Sequence, residues 1–154
     1  MAYFDYNDDP AADADSENIT ILNDLSDEEW QMIVRSARSI SFSKNEILLE
    51  EGQVDDAVYI LVSGKVEVIT NRSFGRVKRI ATIDEGSVFG EVAFFDKRPR
   101  SASIRATTAG RVLRISRRSF DKISAWNPKL AQQLLFDVGE ILAYRFRSEF
   151  PYKV

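Results

Sequence analysis

The chain has 154 residues, of which 44% are hydrophobic and 29% charged, and it contains neither cysteine nor histidine. Without cysteine there can be no disulfide framework, zinc–thiolate site or thiol nucleophile, and without histidine no Ser-His-Asp triad, imidazole base or histidine-ligated metal. The remaining composition is that of one globular domain with a hydrophobic core.

The net charge of −3 conceals an uneven distribution. The first 30 residues hold 10 acidic residues and no basic ones, so the other 124 carry a formal charge of +7. A basic body suits a nucleic acid, an anionic small ligand or the chain's own acidic segment. No apolar run approaches the ~18 residues of a membrane span, and the start lacks a signal-peptide pattern, so we expect no membrane contact and a cytoplasmic location.

Residues 1–18 are acidic and nearly free of aliphatic side chains, so they are expected to form a disordered tail ahead of a single domain over 19–154. The aromatic residues Tyr3, Phe4 and Tyr6 leave open a second interpretation, in which this tail docks on a partner. A solvated acidic tail is the favoured interpretation.

A short helix is predicted after the tail. Ser26 is placed as its N-cap and Glu29 as the capping-box partner three residues later, with acidic residues in the first turn. One apolar face follows at helical spacing, formed by Trp30, Ile33, Val34 and Ala37.

From about residue 40 to 115 the sequence is typical of many short strands separated by turns, which predicts an all-β sandwich, jelly roll or barrel. Asn45 falls at a turn that often needs a positive φ, and residues 71–75 form a predicted hairpin tip. The predicted strands are 47–49, 58–62, 66–69, 79–83, 102–106 and 111–115.

Two helices are predicted over residues 116–148. The second begins with Asn127 as N-cap and Pro128 at the first helical position, and it can run to about Arg147, before Pro151. Its apolar residues cover an arc of roughly 160°, which is broad for a helix that packs on one surface. We therefore expect a homodimer through 128–147, with coverage by the barrel alone as the alternative. The arc contains Leu130, Leu134, Leu135, Val138, Ile141, Leu142 and Phe146.

The most informative stretch is residues 88–106. Gly90 allows close backbone approach at the start of one helical turn, whose free amides form an anion site. Arg100 can add a bidentate contact to a phosphate, and Glu91 can accept a hydrogen bond from a sugar hydroxyl. Together these groups describe a site for a ribose phosphate. The alternatives are that Arg100 is an ordinary surface arginine and that Glu91 caps its own helix.

Residues 89–106, FGEVAFFDKRPRSASIRA, resemble the phosphate-binding cassette of the cyclic nucleotide-binding domain family, of the type found in the bacterial catabolite activator protein and the regulatory subunits of cAMP-dependent kinase. Similar motifs occur at 51–53, 59–66, 127–130 and 142–146, so the resemblance extends over about 20–148. It implies a β jelly-roll (double-stranded β-helix) barrel over about 40–115, with an N-terminal helix and a long C-terminal helix.

The resemblance also implies a ligand and its contacts. The ligand is cAMP, with cGMP or another cyclic nucleotide as alternatives, because Ala and Ser occupy positions 101–103, where cGMP-selective members usually have Thr. Tyr144 and Arg145 are candidate base contacts. Since Arg145 falls inside the apolar arc, a structural ion pair is the favoured alternative for it. The implied ligand-binding residues are Phe89, Gly90, Glu91, Val92, Ala93, Arg100, Ser101 and Ala102.

The family's transcription factors carry a helix-turn-helix after the long helix, and the few residues that follow it here leave no room for one. We therefore expect no DNA binding and no enzymatic activity, but a stand-alone sensor or adaptor that relays nucleotide binding to an unknown effector protein through its C-terminal helix. The alternative is a protein-interaction scaffold with a degenerate pocket. A cupin-type metalloenzyme is disfavoured, because such barrels usually hold their metal with histidines.

Overall fold

The computed structural model describes residues 20–71 and 76–149. The predicted tail at 1–18, residues 72–75 of the predicted hairpin tip at 71–75, and the segment around Pro151 lie outside these residues. The first element, α1 (Asp27–Ser36), is capped as predicted. Ser26 Oγ accepts a hydrogen bond from the Glu29 amide at 3.1 Å, and the Ser26 amide donates to Glu29 Oε1 at 3.2 Å. Two otherwise unpaired amides are thereby satisfied.

In the described part of the chain, eight strands form two antiparallel sheets of four. Sheet A has the strand order β1-β8-β3-β6, and sheet B has the order β2-β7-β4-β5. The fold is therefore the predicted β jelly roll with flanking helices. The strands are β1 (Arg38–Phe42), β2 (Ile47–Leu49), β3 (Val58–Ser63), β4 (Val66–Asn71), β5 (Val77–Ile83), β6 (Val88–Phe89), β7 (Ser103–Ala106) and β8 (Gly110–Ile115).

The six predicted strands are present, with ends that move by two residues at most. Two strands were not predicted as such. β1 begins two residues before the expected start of the barrel, and β6 is only two residues long, too short for an alternating pattern to show. Asn45 has a φ of 71°, as its place in the turn between β1 and β2 predicts, and its amide donates to the Ala106 carbonyl at 2.8 Å.

Alternate residues of sheet A face two hydrophobic cores, as the twofold period of a strand requires. The barrel core lies between the sheets and includes Tyr59, Leu61, Phe89, Ile104 and Val112. The helix core lies between sheet A and the helices and includes Ile33, Val58, Ile60, Leu113, Ile115 and Ile123. Sheet A therefore holds the barrel on one face and the helices on the other.

Two helices follow the barrel, α3 (Arg117–Trp126) and α4 (Pro128–Glu149). Asn127 separates them, and its Oδ1 accepts from the Leu130 amide at 3.2 Å, which confirms the predicted cap. Only part of the predicted apolar arc of α4 is buried against the domain. Leu135 and Phe146 remain 37% and 50% exposed, and the buried members are Leu130, Leu134, Val138 and Ile141. No helix in the ranges described here has both the length and the hydropathy needed to cross a bilayer.

Two adjacent leucines of α4 test whether the apolar arc is divided into a buried side and an exposed side. Leu134 is 1% exposed and Leu135 is 37% exposed. We expect Leu134→Ala to lower the free energy of unfolding by about 2–5 kcal/mol, because it leaves a cavity in the helix core. Leu135→Ala should cost at most about 1 kcal/mol. Urea unfolding in dilute solution measures both, and equal costs for the two variants would contradict the assignment.

Candidate functional site

The site forms where the chain leaves β6. Gly90 follows Phe89 with a φ of 76° and turns the backbone into the short helix α2 (Glu91–Asp96). The Gly90 carbonyl accepts from the Phe94 amide at 3.4 Å. The amides of the first turn, those of Glu91, Val92 and Ala93, have no preceding helical carbonyl to bond. The turn after β6 therefore presents the backbone N–H groups of Glu91, Val92 and Ala93 as free donors. Because residue 90 is glycine, no side chain at that position covers them.

Arg100 lies directly behind this turn, and its side chain is only 3% exposed. Its Nη1 donates to the Gly90 carbonyl at 2.7 Å. Its Nη2 donates to Asp55 Oδ2 at 3.0 Å and to the Ala57 carbonyl at 2.8 Å. The guanidinium also lies over the Tyr59 ring, with 5.9 Å between Cζ and the ring centroid. Arg100 is therefore part of the interior, and the surface-arginine alternative is wrong.

One nitrogen of this guanidinium has no hydrogen-bond partner among the described residues. Arg100 Nε is buried and has no hydrogen-bond partner within the described residues. A buried donor left without a partner costs about 1–3 kcal/mol. A phosphate oxygen is a strong acceptor for such a charge-assisted hydrogen bond. The arrangement therefore holds a positive charge and an unsatisfied N–H at the same point in the interior.

A second arginine shares the carboxylate that anchors Arg100. Arg114 Nη2 donates to Asp55 Oδ1 at 2.7 Å, and Arg114 Nε donates to the Tyr59 hydroxyl at 3.3 Å. That hydroxyl in turn donates to Asp55 Oδ2 at 3.2 Å. Burial alone would raise the pKa of the Asp55 carboxyl, but the guanidiniums of Arg114 and Arg100 outweigh it and lower this pKa below its ordinary value of 3.8. Asp55 is therefore ionised at neutral pH.

Sequence reasoning missed Asp55, Tyr59 and Arg114. The available signal was the alternation in β8, where Arg114 lies two residues after Val112 and so shares its inward face. A charged residue on the inward face of a barrel strand has to be paired. No comparable signal marks Asp55, which precedes β3 in a loop.

Glu91 is buried, at 7% exposure, and forms an ion pair with α4. Its Oε1 lies 2.8 Å from Arg145 Nη1, and Arg145 Nη2 donates to the Val88 carbonyl at 2.7 Å. The structural ion pair expected for Arg145 is confirmed. The N-cap of α2 is Gly90, which has no side chain to cap the helix, and the Glu91 carboxylate is engaged by Arg145. These contacts tie the C-terminal half of α4 to α2 and β6.

The structure places the other candidate residues around this centre. Phe89 is 1% exposed and stacks on Tyr59 with 5.1 Å between ring centroids, so its side chain belongs to the barrel core. Ala93 is buried, whereas Val92 is 44% exposed. Tyr144 is 41% exposed, as its place on α4 predicts. Its contact with a base stays a prediction.

Two further candidates lie on the loop between α2 and β7. Ser101 is exposed and Ala102 is half-buried, one and two residues after Arg100. Arg105, on β7, pairs with Glu67 on the neighbouring strand β4, and its Nε donates to Glu67 Oε1 at 2.7 Å.

The close contact between Gly90 and Arg100 gives a testable consequence. A Cβ added at Gly90 would lie 2.7 Å from Arg100 Nη1, whereas one added at Gly52, which has a similar φ of 87°, would meet no atom within 4 Å. Gly52→Ala should therefore cost only the left-handed backbone strain, about 1–2 kcal/mol. Gly90→Ala should cost about 1–3 kcal/mol more, because the anchored guanidinium must move. Thermal unfolding of both variants measures the difference, and equal destabilisation would show that Arg100 is not packed against this backbone.

Comparison with known proteins places this chain in a family. Residues 39–126 match the model of the cyclic nucleotide-binding domain. The chain is 32% identical over 107 residues to a cAMP-dependent protein kinase regulatory subunit of Emericella nidulans, an alignment that covers 70% of this chain and 25% of the relative. It is 28% identical to a CRP-like cAMP-activated global transcriptional regulator of Mycobacterium tuberculosis, over 75% of this chain and 50% of the relative.

A solved structure agrees with these relatives. The cyclic nucleotide-binding domain from Methylobacillus flagellatus superposes with a TM-score of 0.74 at 27% identity, covering 88% of this chain and 79% of that one. The chain spans only a quarter to a half of the length of the two curated relatives. The model match covers more than half of the chain and includes α2, Arg100 and the barrel around them. This chain therefore belongs to the cyclic nucleotide-binding domain family.

Proposed function

We propose that this chain is a non-enzymatic sensor that binds cAMP in preference to cGMP. The observation that carries the proposal is the buried Arg100 guanidinium, whose Nε–H has no acceptor among the described residues. In this geometry the cyclic phosphate accepts from Arg100 Nε and from the first-turn amides of α2, which combines a fixed positive charge with backbone donors.

The position of Glu91 supports a contact with the ribose of the nucleotide. Its carboxylate lies at the start of α2, one residue after Gly90, and pairs with Arg145 through Oε1. A carboxylate accepts several hydrogen bonds, so a ribose hydroxyl can be added to this pair. The preference for cAMP rests on Ser101 and Ala102, which stand where cGMP-selective members of the family usually have Thr, and it agrees with the names of the two curated relatives.

The same ion pair supplies a route for the output. Because Glu91 holds Arg145 of α4, any change in the hydrogen bonding of Glu91 changes the anchor of that helix. Nucleotide binding thereby shifts the balance between two positions of α4, and an effector protein that contacts α4 senses the shift. A differential affinity of the nucleotide for the two positions is all that this relay requires.

Calorimetry with cAMP and cGMP tests the proposal on wild type, Arg100→Ala and Arg100→Lys. Wild type should bind cAMP more tightly than cGMP. Arg100→Ala should weaken cAMP binding by about 2–4 kcal/mol, roughly 30- to 900-fold, because it removes a buried charge partner of the phosphate. Arg100→Lys should recover only part of the loss, since lysine keeps the charge without the planar fork.

The matched control for these variants is Arg98→Ala, an exposed arginine in the same loop. It should leave the affinity unchanged within about twofold, since an exposed charge is well screened. If wild type binds neither nucleotide at millimolar concentration, the sensor proposal fails, and a scaffold with a degenerate pocket takes its place.

We further propose that two copies of the chain pair along α4. The exposed side of α4 carries Phe136, 70% exposed, next to Leu135. Together with Gly139 these residues line a shallow apolar groove. A Cβ at Gly139 would meet no atom within 4 Å, so a second helix can approach closely there. The observation supports a partner helix of the same kind, because one α4 then covers the apolar face of the other.

Sedimentation at increasing protein concentration tests the pairing. Wild type should be dimeric at ~100 µM, and Phe136→Asp should be monomeric, because it places a charge in the centre of the contact. Trp126→Ser is the matched control, since Trp126 is 80% exposed and lies at the end of α3, off the groove. A wild type that stays monomeric at this concentration, or a Phe136→Asp variant that stays dimeric, would overturn the proposed pairing.

A further inference from the structure

The Asp55 carboxylate is shared between two guanidiniums. Arg100 reaches Oδ2 at 3.0 Å, and Arg114 reaches Oδ1 at 2.7 Å. The Tyr59 hydroxyl bridges the two sides, since it donates to Asp55 and accepts from Arg114 Nε. Both carboxylate oxygens therefore have hydrogen-bond donors, and the carboxylate holds the two arginines on either side of it.

This arrangement leaves a net charge. One carboxylate and two guanidiniums sum to a formal +1, whereas Asp55 with Arg100 alone would be neutral. The side chains of Arg100, Asp55 and Arg114 are 3%, 22% and 29% exposed, so the surplus charge is only partly screened by water. In such surroundings a single charge acts on an anion far more strongly than at an open surface.

The position of Arg114 is fixed by the barrel. It lies on β8 directly opposite Tyr59 of β3, and alternation puts it on the same face as Val112 of the barrel core. The pairing of β8 with β3 therefore places its guanidinium next to Asp55. It lies outside the cassette at 89–106 that carries the phosphate contacts of the proposed site.

We propose that Arg114 is a positioning residue that sets the affinity of the site for anionic ligands. It shares the Asp55 carboxylate with Arg100, one arginine on each oxygen, and it adds a second positive charge beside that carboxylate. The cluster of Arg100, Asp55 and Arg114 thereby keeps a net positive charge for the phosphate. The inference rests on the proposed nucleotide binding, and it assigns part of that affinity to a residue that does not touch the ligand.

Variants that change the formal charge of the cluster test the role of Arg114, with the affinity for cAMP measured by calorimetry. The formal charge of the cluster is +1 in wild type, 0 in Arg114→Gln, +2 in Asp55→Asn and again +1 in the double variant. We expect Arg114→Gln to weaken cAMP binding about 10-fold, and the double variant to return to within about threefold of wild type. A purely structural role predicts the opposite, a double variant at least as weak as the poorer single one.

Two further variants complete the design. Arg111→Gln removes an exposed charge from the same strand and should leave the affinity unchanged, which separates the cluster from the net charge of the protein. Arg114→Lys should bind within about threefold of wild type, and it carries the test if Arg114→Gln does not fold. A larger loss in Arg114→Lys would show that the fork geometry matters and not the charge, which overturns the inference.

The outcomes separate this inference from the proposed function. If wild type binds cAMP while Arg114→Gln binds within twofold of it, or while the double variant is as weak as Arg114→Gln, Arg114 has no charge role and the sensor proposal stands. If wild type binds no cyclic nucleotide, the proposed function fails first, and the inference falls with it.

Discussion

The burial of one guanidinium is the constraint on which the site depends. Arg100 can lie inside the barrel only because two backbone carbonyls and one carboxylate accept its hydrogen bonds. Each of these acceptors depends on a neighbouring residue. The carbonyl of Gly90 is within reach because no side chain separates that backbone from Nη1. The carboxylate of Asp55 is in place because β3 and β8 bring Tyr59 and Arg114 to hold it.

The site has two ion pairs with different functions. The pair of Arg100 with Asp55 lies within the barrel and positions the group that meets the phosphate in the proposed site. The pair of Glu91 with Arg145 joins that site to a helix outside the barrel. Because both pairs meet at the turn around Gly90, the proposed ligand contact and the anchor of α4 share one short stretch of backbone. The proposed sensor function needs only this coupling between a ligand and a movable element.

Local signals predicted most of the fold. The capping box at Ser26, the turn at Asn45 and the cap at Asn127 each depend on residues within a few positions of one another, and all three are present. The cassette likewise pointed to Gly90, Glu91 and Arg100, which the fold brings together. By contrast, Asp55 lies 45 residues from Arg100 and 59 from Arg114 in sequence, so only the strand pairing reveals their contact. Periodicity also gave the apolar arc of α4 without showing that Leu135 stays outside the helix core.

In the proposed function, the Nε–H of Arg100, which has no acceptor among the described residues, is the donor that meets the ligand phosphate. The resonance of this N–H, observed by ¹⁵N NMR and assigned by its loss in Arg100→Lys, reports on it directly. On addition of cAMP we predict a downfield proton shift and slower exchange with water, both signs of a new charge-assisted hydrogen bond. A bound state in which this resonance keeps its free position and exchange rate would contradict the account.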